Sequence, residues 1–231
     1  MRQAIAQAGR TRSARSHVAG RWLLFWTLFI GLGAVAGASG MLLDPTGRAM
    51  GMDTMLPYFQ TLPLAEYLYQ DYVFPGFALL VVNGLTNLTA AGLLLAQKKS
   101  GVILGGIFGV TLMLWISIQF YLFPMNFMST TYFIFGFCQA ATGYAAWVFQ
   151  KQESFAVEEK DYPHIGAHPD RLVVYFSRMG YGKKLACEEA NRTGAALYEI
   201  RSTEKTEGTG GFWWCGRFAM HHWPMEIEKI D

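Results

Sequence analysis

Chemistry in this chain is most readily placed at Ser177-Arg178-Met179-Gly180-Tyr181-Gly182, followed by Lys183 and Lys184. An apolar run from Arg171 to Phe176 leads into these residues, and a helix-forming stretch leaves them. A strand that ends in a glycine-bearing turn and restarts as a helix points backbone N–H groups at one spot. Such a turn holds an anion, above all a phosphate. Lys183 would add a positive charge beside it.

Other reactive side chains carry less. Cys138, Cys187 and Cys215 form an odd set with no C-x-x-C, which indicates neither a disulfide framework nor a zinc knuckle and fits a reducing compartment. Cys215 with His221 and His222 matches no zinc spacing. Cys187, beside Lys183 and Lys184, reads as a small packing residue. No residue qualifies as a catalytic acid, base or nucleophile. Trp213, Trp214 and Trp223 are expected to pack a loop against a sheet or a membrane surface.

The elements around the turn follow from pattern. Leu172 to Phe176 is apolar on both faces, as expected of a central parallel strand. Lys183 to Asn191 is expected to be helical and to close at Gly194 in the C′ position. Ala196 to Ile200 is a second, more mixed strand suited to an edge. Gln150 to Asp170, acidic and punctuated by Pro163 and Pro169, reads as a linker.

The first two thirds of the chain are of another kind. From Asp71 to Lys151 the only charges in between are Lys98 and Lys99. A bilayer-spanning helix needs about 20 apolar residues. Trp22 to Leu43, Phe74 to Ala96 and Gly101 to Phe123 meet that length, and Tyr132 to Phe149 comes close, so four spans are expected. None holds Asp, Glu, Lys, Arg or His. With all five histidines outside the spans, a transmembrane haem on paired histidines is excluded, as is a proton path on buried carboxylates.

Basic residues set the expected orientation. Arg2, Arg10, Arg12, Arg15 and Arg21 precede the first span, Lys98 and Lys99 lie in the second-to-third turn, and Lys151 follows the fourth. The other two loops hold Arg48 against Asp44, Asp53, Glu66 and Asp71. Both termini are therefore expected in the cytoplasm, with the protein in the cell (inner) membrane. Ala36-Gly37-Ala38 also fits a signal-peptide cleavage pattern, which would remove the first span and leave the rest of the topology unchanged.

Gly33 and Gly37, and Gly101, Gly105 and Gly109, are spaced for close helix packing within the unit. Asn83, Thr86 and Asn87 in the second span, with Gln139 and Thr142 in the fourth, form a polar patch. Hydrogen bonds across helices and contact with a ligand such as a quinone are both open readings of it. Asp44 to Tyr72, rich in methionine and aromatics, is expected to lie at the outer interface.

Leu172 to Ile200 resembles the start of a flavodoxin, whose turn after the first strand wraps the FMN phosphate. The block from Thr206-Glu207-Gly208-Thr209 to Trp223-Pro224-Met225 resembles a loop of some bacterial flavodoxin-family proteins. The resemblance assigns Ser177, Arg178, Met179, Gly180, Tyr181 and Gly182 to the phosphate loop, with Lys183 beside it. Ser177 and Gly180 keep the family form, whereas Met179, Tyr181 and Gly182 stand where side-chain donors are usual. Pro57-Tyr58-Phe59 and Pro75 to Gly84 loosely resemble small bacterial four-helix membrane proteins of the DoxX-like kind.

The implied architecture is α-helical with four transmembrane helices, joined to an incomplete doubly wound α/β unit of flavodoxin type, β-α-β. Its parts are a basic cytoplasmic N-terminus at 1–21, a transmembrane domain at 22–149, a linker at 150–170 and the partial flavodoxin-like domain at 171–231. The resemblance implies FMN-linked electron transfer at the bilayer, with a redox partner protein, a reduced nicotinamide or ferredoxin donor and no nucleic acid. The chemistry would be that of the flavin. In flavodoxins the ring is held by loops after the third and fourth strands, for which this chain offers no candidate, so weak retention of FMN is expected. The alternative is a four-helix membrane protein whose tail is a flavin-free interaction segment.

Overall fold

The computed structural model describes residues 2–123 and 125–229. Contacts divide the chain into two compact units, Arg15–Trp147 and Val148–Asp231, the latter grouped with Met1–Ala14.

In the first unit, α1 (Arg2–Leu43) runs without interruption to the turn before Pro45. Asp44 closes that turn: its carboxylate accepts the N–H of Ala49 at 2.7 Å and the hydroxyl of Thr46 at 2.6 Å. These bonds hold its carboxyl below the usual carboxylate range. The segment expected at the outer interface is folded rather than extended. It consists of short 3₁₀ turns at Arg48–Met50 and Asp53–Thr61 and the single turn α2 (Ala65–Leu68). Tyr72 pins it: fully buried, it donates its hydroxyl to the Met52 carbonyl at 2.5 Å, and its N–H bonds the Pro45 carbonyl. Gly47, at φ +74°, lies against the Tyr72 ring, and a Cβ there would stand 2.5 Å from it.

The second membrane-length helix is α3 (Val73–Leu79), a widened π turn at Leu80–Leu85, and α4 (Thr86–Leu95). Pro75 sits in its first turn, where no N–H is needed. After the Lys98-Lys99 turn come α5 (Lys99–Leu122) and α6 (Phe127–Ser154). Among the described residues, three helices are long and apolar enough to cross a membrane: Arg15–Leu43, Val73–Leu95 and Lys99–Leu122. The expected fourth span, Tyr132 to Phe149, lies in α6, which is not among these three; Gln139, Thr142, Gly143 and Tyr144 lower its apolarity.

Packing is inverted relative to a water-soluble bundle. Phe29, Leu32, Phe77, Val81, Ile107, Leu114 and Phe137 face outward, while Thr27, Asn83, Asn87 and Gln139 are at most 1% exposed. A lipid-solvated exterior accounts for this, since burying apolar groups gains little when the surroundings are equally apolar. Close backbone approach supplies the cohesion. A Cβ on Gly143 would stand 2.4 Å from the Gly106 Cα, and one on Gly109 would stand 2.5 Å from the Ala140 N, so α5 and α6 meet through glycine. Gly105 meets Leu23 of α1, and Gly101 meets the backbone at Leu93 and Leu94. The glycine spacing thus serves packing inside the unit, with Gly106, Gly136 and Gly143 as partners that the sequence reading had not singled out.

The polar patch is self-satisfied in part, with both side-chain atoms of Asn83 and Oε1 of Gln139 left without a partner. Gln139 donates to Asn87 Oδ1 and to the Gly105 carbonyl, both at 2.7 Å, and Asn87 Nδ2 donates to the Asn83 carbonyl at 2.8 Å. These bonds tie α4, α5 and α6 together.

In the second unit, β1 (His168–Tyr175), α7 (Tyr181–Thr193) and β2 (Ala195–Glu199) form a parallel β-α-β arrangement. Helix α7 turns one apolar stripe, Ala186, Cys187 and Ala190, onto the sheet. It ends at Gly194, φ +73°, as the glycine position required. Helix and strand begin two to three residues earlier than expected, and β1 takes in Pro169 at its start.

One expectation fails here. The sheet has two strands among the described residues, so β1 is not central. Leu172, Val174 and Phe176 stand 59%, 50% and 46% exposed on the face that α7 does not cover. The double-faced apolar pattern marks a strand built for burial on both sides, and only one side is covered.

A second difference is α8 (Gly208–Met220), which falls in the block read as a loop. Gly208, Gly210, Gly211 and Gly216 depress helix propensity there. Contacts hold it instead. Arg178 donates to the Gly208 carbonyl at 2.9 Å, Trp214 Nε1 donates to Glu204 at 2.8 Å, and the Arg217 guanidinium lies 3.9 Å from the Trp214 ring centre. Trp213 and Trp223 remain largely exposed rather than packed on the sheet.

Candidate functional site

Residues 176–180 connect β1 to α7, at the carboxyl end of the strand, and 181–183 form the first turn of the helix. In open α/β sheets ligands bind outside the carboxyl ends of strands. Gly180 N-caps the helix at φ +100°, a conformation that glycine adopts without strain. A Cβ on Gly182 would stand 2.9 Å from the Phe176 carbonyl, so the helix start packs tightly on the strand end. Two glycines therefore do distinct structural work: one makes the turn, the other lets helix and strand touch.

Each expected site residue can be placed. Ser177 Oγ accepts the Gly180 N–H at 3.1 Å, folding the loop on itself. Lys184 N donates to the Gly180 carbonyl as the first helical bond. The N–H groups of Tyr181, Gly182 and Lys183, in the first turn of α7, have no intrahelical acceptor and carry the positive end of the dipole.

The loop's cations, however, are engaged. Lys183 Nζ lies 3.4 Å from Glu159 of the short turn Glu159–Asp161. The Arg178 guanidinium bonds Gly208, lies 5.1 Å from the Phe212 ring centre and sits against the Met179 sulfur at 3.8 Å. Tyr181 packs its ring edge-on against Phe155 at 5.1 Å, and Phe155 also contributes the nearest carbonyl to Gly180. The loop therefore offers backbone donors first, with Lys183 available only if it leaves Glu159.

Nearby thiol chemistry is absent. Cys187 is fully buried under the sheet, and that burial, outweighing the Lys183 charge, pushes its thiol up. Its packing role matches the sequence reading. Among the described residues no cluster of three or more His, Cys, Asp or Glu is placed to hold a metal ion. Glu159, Phe155 and Phe212 are the loop's neighbours that sequence reasoning missed. None is close to the loop in sequence, and no local signal marks them.

No family model, curated protein or solved structure matches the chain, so the likenesses to flavodoxins and to DoxX-like proteins rest on the residues quoted for them.

Proposed function

We propose that this is a multi-pass protein of the cell membrane whose second unit takes a phosphate-bearing cofactor, FMN, at the loop 177–183, and takes part in flavin-linked electron transfer. The observation that carries the reading is the parallel β1-loop-α7-β2 arrangement, with Gly180 and Gly182 at the carboxyl end of β1. The uncovered face and free edge of β1 support it too, because a doubly wound sheet places further strands there.

The walls for an isoalloxazine ring are not among the described residues, so FMN is held through its phosphate. Charge-assisted hydrogen bonds contribute about 1.5–3 kcal/mol each, and much of that is offset by lost ligand freedom. Binding is therefore weak and phosphate-dependent. The test is fluorescence titration of the detergent-purified protein with FMN and with riboflavin. FMN should bind, inorganic phosphate should compete, riboflavin should not bind, and Glu159→Gln should strengthen binding by releasing Lys183. Equal binding of FMN and riboflavin, or of neither, removes the phosphate-loop reading.

In this reading α6 is the fourth span, because its Gln139 is internally bonded and its outward residues, among them Ile134 and Phe137, are apolar. Both termini are cytoplasmic, following the arginine cluster, Lys98-Lys99 and Lys151. In a variant with the native cysteines replaced by alanine, Asp53→Cys should react with an impermeant maleimide in intact cells. Lys160→Cys should stay protected, and the reverse labelling pattern overturns the topology. A second reading is favoured by the engagement of Arg178 and Lys183: the tail is a flavin-free interaction segment, and the absence of any FMN binding would select it.

A further inference from the structure

The unit Arg15–Trp147 holds a partly open cavity of about 610 Å³, within the roughly 300–1,000 Å³ usual for small-molecule sites. Its wall is apolar nearly throughout. Met41, Met50, Met52 and Met55 line its outer part, and flexible thioethers adapt to irregular apolar shapes. No charged side chain lines it.

Of the polar residues in the wall, which also include Tyr69, Gln119, Asn126, Ser129 and Tyr132, one stands apart. Asn83, near the middle of Val73–Leu95, is 1% exposed, and neither its Nδ2 nor its Oδ1 has a hydrogen-bond partner. The neighbouring Asn87 amide is bonded at both ends, to Gln139 and to the Asn83 carbonyl, and Gln139 lacks a partner only at Oε1, whereas Asn83 lacks one at both side-chain atoms. Leaving such an amide unpaired is costly, a cost that replacement by leucine would remove. Asn83 also lies inside the π turn Leu80–Leu85. Widened turns of this kind are costly interruptions that recur at functional sites.

We propose that this cavity binds an uncharged, largely apolar molecule whose polar end both donates and accepts a hydrogen bond, with Asn83 as its partner. The amide offers one donor and one acceptor side by side, which a carboxamide matches with two parallel bonds. A carboxylate is disfavoured because no cation lines the wall. An acceptor-only group leaves Oδ1 unpaired. Gln119, Ser129 and Tyr132 also line the cavity, but Gln119 Oε1 already accepts the Ser129 hydroxyl at 3.2 Å. Water alone fits poorly, since ordered water needs two to four polar partners and most of this wall has none.

The probe is radiolabelled oleamide, a long-chain primary amide, with the full chain in phosphatidylcholine nanodiscs. Saturable binding is expected, displaced by unlabelled oleamide and at least about tenfold less well by methyl oleate, which lacks the donor; tenfold corresponds to about 1.4 kcal/mol. Asn83→Leu should abolish the preference for amide over ester while leaving the thermal midpoint unchanged or raised. Ala78→Phe, which fills the cavity from α3, should abolish binding of both and decides the matter if the first variant does not fold. Absence of saturable binding, equal displacement by amide and ester, or wild-type preference in Asn83→Leu each overturns the proposal. The site lies wholly within the first unit, so its failure leaves the reading of loop 177–183 untouched.

Discussion

Both units of this protein expose large apolar side chains, and the exposure means different things in each. In Arg15–Trp147 the apolar exterior surrounds a bonded polar interior, Asn87 and Gln139, and the helices join through glycine contacts. Lipid solvates that exterior, so it needs no protein cover. In Val148–Asp231 the apolar residues Leu172, Val174 and Phe176 lie on one sheet face beside a strand edge with no partner among the described residues. Water does not solvate such a face well, and an open edge is a template for pairing. Exposure alone therefore does not identify a lipid-facing surface. What distinguishes the two is whether the backbone beneath the apolar surface is internally paired, as it is in the helices of the first unit and is not along the free edge of β1.

The largest expected effect breaks the glycine seam. Gly143→Leu drives a side chain into the Gly106 backbone, which cannot yield except by separating α5 from α6. It should cost at least the roughly 1–3 kcal/mol of an overpacked core and lower the thermal midpoint in detergent. Gly92→Leu is the contrast, because nothing lies within 4 Å of a Cβ there. Equal effects at the two positions would show that the seam does not hold the unit together.

A smaller effect sits at the membrane unit's outer segment. Burial, with Asp53 adding to it, pushes the Tyr72 hydroxyl up to about 12 from an ordinary 10. The folded state thus holds this proton more tightly than the unfolded chain does. Tyr72 contributes stability that is complete below pH 10 and is lost as pH rises through about 12. Tyr72→Phe should cost about 1 kcal/mol at neutral pH through the lost bond to Met52, and should flatten that alkaline limb. A wild-type midpoint unchanged between pH 10 and 12 would contradict the assignment.

The smallest effect sharpens the reading of the second unit. Val174→Thr, on the uncovered face of β1, should change stability by no more than about 0.5 kcal/mol, as at an ordinary surface site. A cost well above about 1 kcal/mol, measured by denaturant unfolding of the full chain, would show that this face is covered in the assembled protein. That outcome would favour either a completed sheet or a docked partner over an open remnant.

Much of this was legible in the residues themselves. The charge gap from Asp71 to Lys151 and the apolar runs determined that helices of membrane length form, because apolarity over about 20 residues is a local property. Gly194 determined where α7 stops, because positive φ is a demand on a single residue. Tertiary structure alone decided the rest. It paired Gly106 with Gly143, left Asn83 unbonded while bonding Asn87, committed Lys183 to Glu159, and folded the glycine-rich 208–220 into a helix. Each of these depends on which distant atoms arrive within about 3–4 Å, a distance at which packing and hydrogen bonds are decided. No local spacing along the chain encodes that.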